Sequence, residues 1–181
     1  MLKINVPGRE MFDDARQEFV LMPEAVLVLE HSLASLSKWE SAWKKPFLSS
    51  VEKTSEEALD YIRKMCVNEN ENSELFNYLP DEVINCVNAY INDTMTATWF
   101  REVNGGKKSS GETVTSEVIY YWMFSLGIPI DCENWHLNRL LTLIRVFNNK
   151  NSPKKKMSMR EIAERNRQMN AQRRQKLVSR G

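Results

Sequence analysis

Alternation of apolar and polar residues marks the first thirty positions as extended chain. Leu2–Val6 alternates strictly and is followed by Pro7 and Gly8, which predicts a short strand and a turn. Glu18–Leu29 is rich in Val and Leu and is interrupted by Pro23, so we interpret it as two short strands that pair with the first. The pattern therefore predicts a small N-terminal sheet.

Apolar residues at helical spacing follow the predicted strands. Leu36, Trp39 and Trp43 recur at this spacing until Pro46, and the sequence from Thr54 to Glu57 is typical of a capping box that opens a second helix. The expected core-facing residues of this second helix are Ala58, Leu59, Ile62 and Cys66, and those of a third helix are Val83, Ile84, Val87 and Ile91.

A fourth helix is predicted to begin at Thr115. Its Tyr120, Tyr121 and Trp122 run right round the helix, so we expect it to be largely buried. A fifth helix, capped by Asp131, has the expected core-facing residues Leu137, Leu140, Leu141, Ile144 and Phe147.

A β-hairpin is predicted inside the helical region. Thr96–Val103 has strand composition, Asn104–Gly106 favours a turn, and Glu112–Val114 could return as the partner strand. The predicted fold class is α+β: a mostly helical single domain with a small N-terminal sheet, this internal β-hairpin and a basic C-terminal helical arm.

Charge divides the chain into two parts. Residues 150–181 contain eleven Lys or Arg and two acidic residues, whereas residues 1–149 contain fourteen basic and twenty-two acidic residues. A segment this basic cannot form a core alone. We therefore predict an acidic globular α+β domain over 1–149 and a basic arm over 150–181, whose apolar stripe consists of Met159, Ile162, Ala163 and Met169.

Three interpretations of the arm are open. It could bind nucleic-acid phosphates through its basic residues, with a steep dependence on salt. It could dock as a helix with its apolar stripe in a groove and its arginines at the rim. It could also be a solvated tail. The candidate partner-binding residues are Lys154, Lys155, Lys156, Met159, Ile162, Met169, Arg173 and Arg174.

Catalytic and metal-binding patterns are not found in the sequence. His31 and His136 are the two histidines, and no Gly-x-Ser-x-Gly motif accompanies them. Cys132 and His136 would share a helix face, but a zinc site needs two further ligands. Gly105–Gly111 lacks the spacing of a phosphate-binding loop. We expect no catalytic residues, no cofactor and no metal, with Cys66, Cys86 and Cys132 as reduced thiols.

The five tryptophans have two possible roles. They could stack nucleic-acid bases, but their helical spacing favours a core, and we expect Trp39, Trp122 and Trp135 to be buried. No run approaches the roughly 20 apolar residues of a membrane-spanning helix. Met1–Val6 also lacks the pattern of a secretory leader, so we expect a cytoplasmic protein that does not enter the membrane.

Several blocks of sequence together carry a resemblance to a known family. They are Leu29–Leu33, Ser37–Ser41, Lys45–Leu48, Thr115–Trp122, Trp135–Leu141, and Asn170–Arg174 with Gly181. These blocks resemble small proteins that tailed bacteriophages encode near their tail genes, commonly labelled tail assembly chaperones.

The resemblance implies a non-enzymatic phage morphogenesis protein. Such a protein would bind the long helical tape measure protein in the host cytoplasm until tail-tube subunits polymerise around it. The alternative is a virion component, such as a head–tail connector or a minor tail or capsid protein, whose arm docks on neighbouring subunits of a homo-oligomer. Nucleic-acid binding through the arm is a third, less favoured possibility.

Overall fold

Four short strands form two separate antiparallel ribbons in the computed structural model, which describes residues 1–13, 17–68, 73–100, 113–151 and 159–178. The strands are β1 (Leu2–Val6), β2 (Arg9–Asp13), β3 (Glu18–Met22) and β4 (Ala25–Leu29). β1 pairs with β4, and β2 pairs with β3.

The N-terminal strand prediction is partly confirmed. The predicted strands and their interruption at Pro23 are present, and β1 pairs with β4 as expected. The predicted pairing of β3 with β1 is wrong, because β3 pairs with β2. β2 was not predicted, since its sequence Arg-Glu-Met-Phe-Asp carries no alternation. Glycine is favoured at position 8, between β1 and β2, because it has no Cβ. A Cβ there would lie 3.0 Å from the Glu24 backbone nitrogen, which is too close for an ordinary contact.

Six α-helices follow the strands in the described residues. They are α1 (Leu33–Trp43), α2 (Ser55–Met65), α3 (Asp81–Asn92), α4 (Ser116–Ser125), α5 (Leu137–Asn151) and α6 (Met159–Val178), with 3₁₀ helices at Ser73–Tyr78 and Ile130–Asn134. The predicted capping box of α2 is confirmed: Thr54 Oγ1 accepts the Glu57 N–H at 3.2 Å, and Glu57 Oε2 accepts the Thr54 N–H at 2.9 Å. The α+β fold class is also confirmed.

Two apolar clusters form the core, and α1 contributes to both. The first cluster packs Trp39 with residues of β1, β3, β4, α2 and α3. The second cluster packs Leu33 and Leu36 with residues of α4 and α5. Phe47, just after α1, packs against both clusters. The helix that joins the N-terminal strands to the rest of the chain is therefore also the helix shared by the two clusters.

The predicted internal hairpin is not seen where the structure can be described. Thr96–Phe100 and Thr113–Thr115 contain no strand, and residues 101–112 lie outside the described residues. No helix in the described ranges combines the length and apolarity that crossing a bilayer requires.

The chain divides into two compact units, Met1–Phe147 and Asn148–Gly181. α6 belongs to the second unit. The predicted boundary after Asn149, between an acidic domain and a basic arm, stays a prediction.

Candidate protein-interaction surfaces

α6 is a basic helix with an exposed apolar stripe. It has 20 residues, and every described side chain from Ile162 to Arg174 is exposed. Met159 is 84% exposed, Ile162 40% and Met169 41%. Ile162 and Met169 are seven residues apart, which places them on one face of the helix. Lys154, Lys155 and Lys156 lie outside the described residues.

The rest of α6 is polar except for Ala163, Ala171, Leu177 and Val178. Arg173 and Arg174 are exposed near its end, and they extend the positive charge along the helix. A helix gains most of its stability in a protein by packing an apolar face, and isolated helices are marginal in water. An exposed stripe on a 20-residue helix is therefore a surface on which a partner can bury apolar area.

An apolar groove runs between α2 and α3 in the first unit. Its volume is about 440 Å³, and it is lined by Phe47, Lys53, Ser55, Ala58, Leu59, Tyr61, Ile62, Ile84, Asn88 and Ile91. Lys53 Nζ lies 4.4 Å from the centre of the Phe47 ring. The floor is closed by the buried side chains of Tyr61 and Ile62.

The groove corrects part of the predicted core of α2. Ile62 is buried as predicted, but Ala58 is exposed and Leu59 and Cys66 are only half-buried. The buried apolar face of α2 is instead formed by Tyr61, Ile62 and Met65. This face is fixed by α1, whose Trp39 indole N–H donates to the Glu57 carbonyl at 2.8 Å.

A matching correction applies to α3. Val83 and Val87 are buried as predicted and Tyr90 joins them, whereas Ile84 and Ile91 are half-buried and line the groove. The apolar faces of α2 and α3 are therefore wider than the core covers.

α4 presents a second exposed apolar surface. Ser116, Ile119 and Met123 face the core, whereas Tyr121 is 68% and Phe124 65% exposed. The prediction that α4 is largely buried is wrong, because neighbouring elements cover one of its faces and not the whole circumference.

The burial predicted for three tryptophans is confirmed for one of them. Trp39 is 1% exposed, which confirms it as core. Trp122 and Trp135 are half-buried and pack at the edge of the second cluster, so their prediction as buried residues is wrong. The guanidinium of Arg139 lies 4.2 Å from the centre of the Trp135 ring. This cation–π contact covers the face of the ring that core side chains would otherwise cover.

The two histidines meet in the interior although they are distant in sequence. Their ring centres are 5.1 Å apart, and both residues are buried. His31 Nδ1 lies 2.6 Å from the Tyr61 hydroxyl, and His136 Nε2 donates to the Tyr90 carbonyl at 3.0 Å. Burial, and secondarily the neighbouring His136, lower the pKa of His31 to about 4.

Backbone contacts show what this histidine pair does. The Leu137 N–H donates to the His31 carbonyl at 2.7 Å, and Ser32 forms an isolated β-bridge with His136. The pair thus joins the start of α1 to the start of α5, and its described contacts are structural.

Glu40 is a buried carboxylate that organises backbone. Its Oε1 accepts the Phe47 N–H at 2.8 Å, and its Oε2 accepts the Ser116 N–H at 2.7 Å, across 76 residues of sequence. Thr115, at the N-cap of α4, makes no side-chain capping bond, and Glu40 provides the acceptor for the buried Ser116 N–H in the first turn of that helix. The sequence gives no signal for this contact, because α1 and α4 are distant along the chain.

Cys132 and His136 do not share a helix. Cys132 lies in the 3₁₀ helix Ile130–Asn134, and His136 precedes α5, so the predicted helix from Asp131 is corrected to a 3₁₀ helix followed by α5. Within the described ranges, no three His, Cys, Asp or Glu side chains gather in a way that could hold a metal ion. The expectation that the protein needs no metal stays a prediction.

No family model, no curated protein and no solved structure matches the chain.

Proposed function

We propose that this protein is a non-enzymatic phage morphogenesis protein, a tail assembly chaperone that binds the tape measure protein. The observation that carries the proposal is α6, a 20-residue basic helix whose apolar stripe is exposed. The resemblance of several sequence blocks to tail-module proteins supplies the biological setting.

The chemistry of α6 suits a helical partner. A tape measure chain exposes apolar helical faces before the tube forms, and an amphipathic helix can cover such a face with residues spaced at three, four and seven positions. Met159 and Ile162 are three residues apart, and Ile162 and Met169 are seven apart. The exposed Arg173 and Arg174 would add pairing with acidic flanks of the partner and increase the rate of encounter.

The narrowness of the stripe suits reversible binding. Each fully buried aliphatic side chain contributes about 1.5–3 kcal/mol, so three that are 84%, 40% and 41% exposed supply roughly 2.5–5 kcal/mol. Association and side-chain ordering oppose this with about 4 kcal/mol or more, so the stripe alone supports only weak binding. The resulting weak affinity is what a cover needs if polymerising tube subunits are to displace it.

Mass spectrometry of infected cells and purified virions distinguishes this function from the virion alternative. We expect the protein in the lysate together with the tape measure protein, and its absence from purified virions. Stoichiometric presence in virions would instead identify a structural component.

Pull-downs from infected cells test the role of α6. Ile162→Asp with Met169→Asp should remove the tape measure protein from the eluate, because two charges would have to be buried. Gln168→Asp with Ala171→Asp is the matched control, since both residues are exposed and lie about 100° or more around the helix from Ile162 and Met169, so the same added charge should retain the partner.

The basic residues provide the test against nucleic-acid binding. Arg173→Ala with Arg174→Ala should weaken capture of the tape measure protein and leave a salt-resistant part from apolar burial. If this pair alone matters and duplex DNA competes fully at physiological salt, the protein binds nucleic acid and the chaperone proposal is wrong.

A further inference from the structure

We propose that the groove between α2 and α3 binds α6 of a second copy of this chain. Two copies would exchange arms, so that each supplies one α6 and one groove. The inference concerns self-association of the purified protein and holds whether or not α6 also binds a tape measure protein.

The dimensions of the two surfaces match. One wall of the groove runs from Ser55 to Ile62 and the other from Ile84 to Ile91, so each wall spans seven residues. At a rise of about 1.5 Å per residue, each wall is about 10 Å long. Ile162 and Met169 are also seven residues apart, so both can enter the groove along its length.

The apolar lining of the groove favours an occupant with apolar side chains. Its volume of about 440 Å³ is comparable to the roughly 300–1,000 Å³ of typical ligand sites. Leu59, Ile84 and Ile91 remain partly exposed in it. Covering them with the exposed Ile162 and Met169 would remove apolar surface from water on both sides of the contact.

Charge favours another copy as the occupant. Glu56 and Asp81 are exposed on the two helices that form the groove, and residues 1–149 carry a net charge of −8. Residues 150–181 carry a net charge of +9. Lys53 is the cation among the lining residues, and it lies over the Phe47 ring at one part of the groove.

Reciprocal exchange of the two arms also increases the area that the interface buries. A contact made by a few side chains of one helix is small compared with the roughly 1,200–2,000 Å² buried in stable interfaces. A two-fold arrangement uses the same contact twice. Exchange of arms therefore stabilises a dimer more strongly than a single docked helix would.

Sedimentation velocity of the full chain at tens of micromolar and physiological salt tests the groove. We expect a dimer for the wild type and a monomer for Ala58→Arg, which places a long cation inside the groove. Ala89→Arg is the matched control, because Ala89 is also an exposed helical alanine but does not line the groove, and it should remain dimeric. Asn88→Arg on the opposite wall should behave like Ala58→Arg.

Arm variants and mixing complete the test. Ile162→Asp with Met169→Asp should also be monomeric, and Gln168→Asp with Ala171→Asp should remain dimeric. An equimolar mixture of Ala58→Arg with Ile162→Asp/Met169→Asp should form a one-to-one dimer at several hundred micromolar, a concentration at which neither variant associates alone. This dimer should be weaker than the wild type, because it has one intact arm in one intact groove and not two such contacts. This recovery cannot come from misfolded variants.

Three results would overturn the inference. They are a monomeric wild type, an Ala58→Arg variant that associates as tightly as Ala89→Arg, and a mixture that stays monomeric. None of them depends on a phage partner, so they are distinguishable from a failure to capture the tape measure protein.

Discussion

Replacing Glu40 with Gln tests how one buried carboxylate connects distant parts of the chain. Each carboxylate oxygen accepts one backbone N–H, from Phe47 at 2.8 Å and from Ser116 at 2.7 Å. Glutamine has nearly the same shape, but it offers one oxygen and one NH₂ group. One backbone donor would keep its acceptor, and the other would face a second donor.

The magnitude follows from these two bonds. The retained bond loses its charge assistance, at a cost of about 1 kcal/mol, and the orphaned buried donor costs about 1–3 kcal/mol. The amide avoids the desolvation of a buried charge, which offsets part of the loss. We expect a net destabilisation of about 2 kcal/mol, equivalent to a decrease in Tm of about 4–8 °C for a chain of this size.

Urea denaturation followed by circular dichroism measures the effect. Glu52→Gln is the control, because Glu52 is exposed and its substitution should change the free energy of unfolding by less than about 0.5 kcal/mol. If Glu40→Gln unfolds at the same urea concentration as Glu52→Gln, the two hydrogen bonds do not stabilise the fold as we infer.

Four further predictions concern the core, the histidine pair, the arm and metal. Trp39→Ala should cost about 3–5 kcal/mol in urea denaturation, whereas Trp99→Ala, at a side chain that is 81% exposed, should cost under about 0.5 kcal/mol; equal costs would show that burial is not the cause. The pKa of His31 is about 4 in the folded protein and about 6.5 in the unfolded chain, so the unfolded chain takes up this proton first and stability decreases as pH falls between these values. We expect a loss of about 2 kcal/mol between about pH 7 and about pH 5, and a His31→Gln variant that retained the full slope would refute the assignment. Truncation after Asn151 should leave the Tm of the remaining chain within a few degrees at low micromolar concentration, and loss of its cooperative transition in calorimetry would show that the arm is part of the fold. Dialysis against EDTA should leave Tm unchanged, and one bound zinc per chain in elemental analysis would contradict the metal-free prediction.

Local signals made most of the elements predictable. The alternation of Leu2–Val6, the capping box from Thr54 to Glu57 and the apolar series of α5 each depend on neighbours within one or two turns. The first two were confirmed, and α5 was confirmed as a helix that buries Leu137, Leu140 and Ile144, although Leu141 and Phe147 are only half-buried. β2 could not be predicted, because its strand state comes from pairing with β3 and not from its own pattern.

Which part of an apolar face is buried was less predictable. The sequence shows that α2, α3 and α4 are apolar on broad faces, but tertiary packing decides how much of each face the core covers. Leu59, Ile84 and Tyr121 were assigned to the core and lie at the groove or the surface. The candidate residues in the described part of α6 were available from sequence, whereas the groove required two helices to be placed side by side.

The sharing of α1 between the two apolar clusters has a consequence for amide hydrogen exchange. If the second cluster opens, Trp39 still holds α1 to the first, and if the first opens, Leu33 and Leu36 hold it to the second. The amides of α1 should therefore exchange only when the whole domain unfolds, whereas those of α3 and α4, each of which packs in one cluster, can exchange through partial opening. The slowest protons in α1 would then report the global free energy of unfolding, without any denaturant.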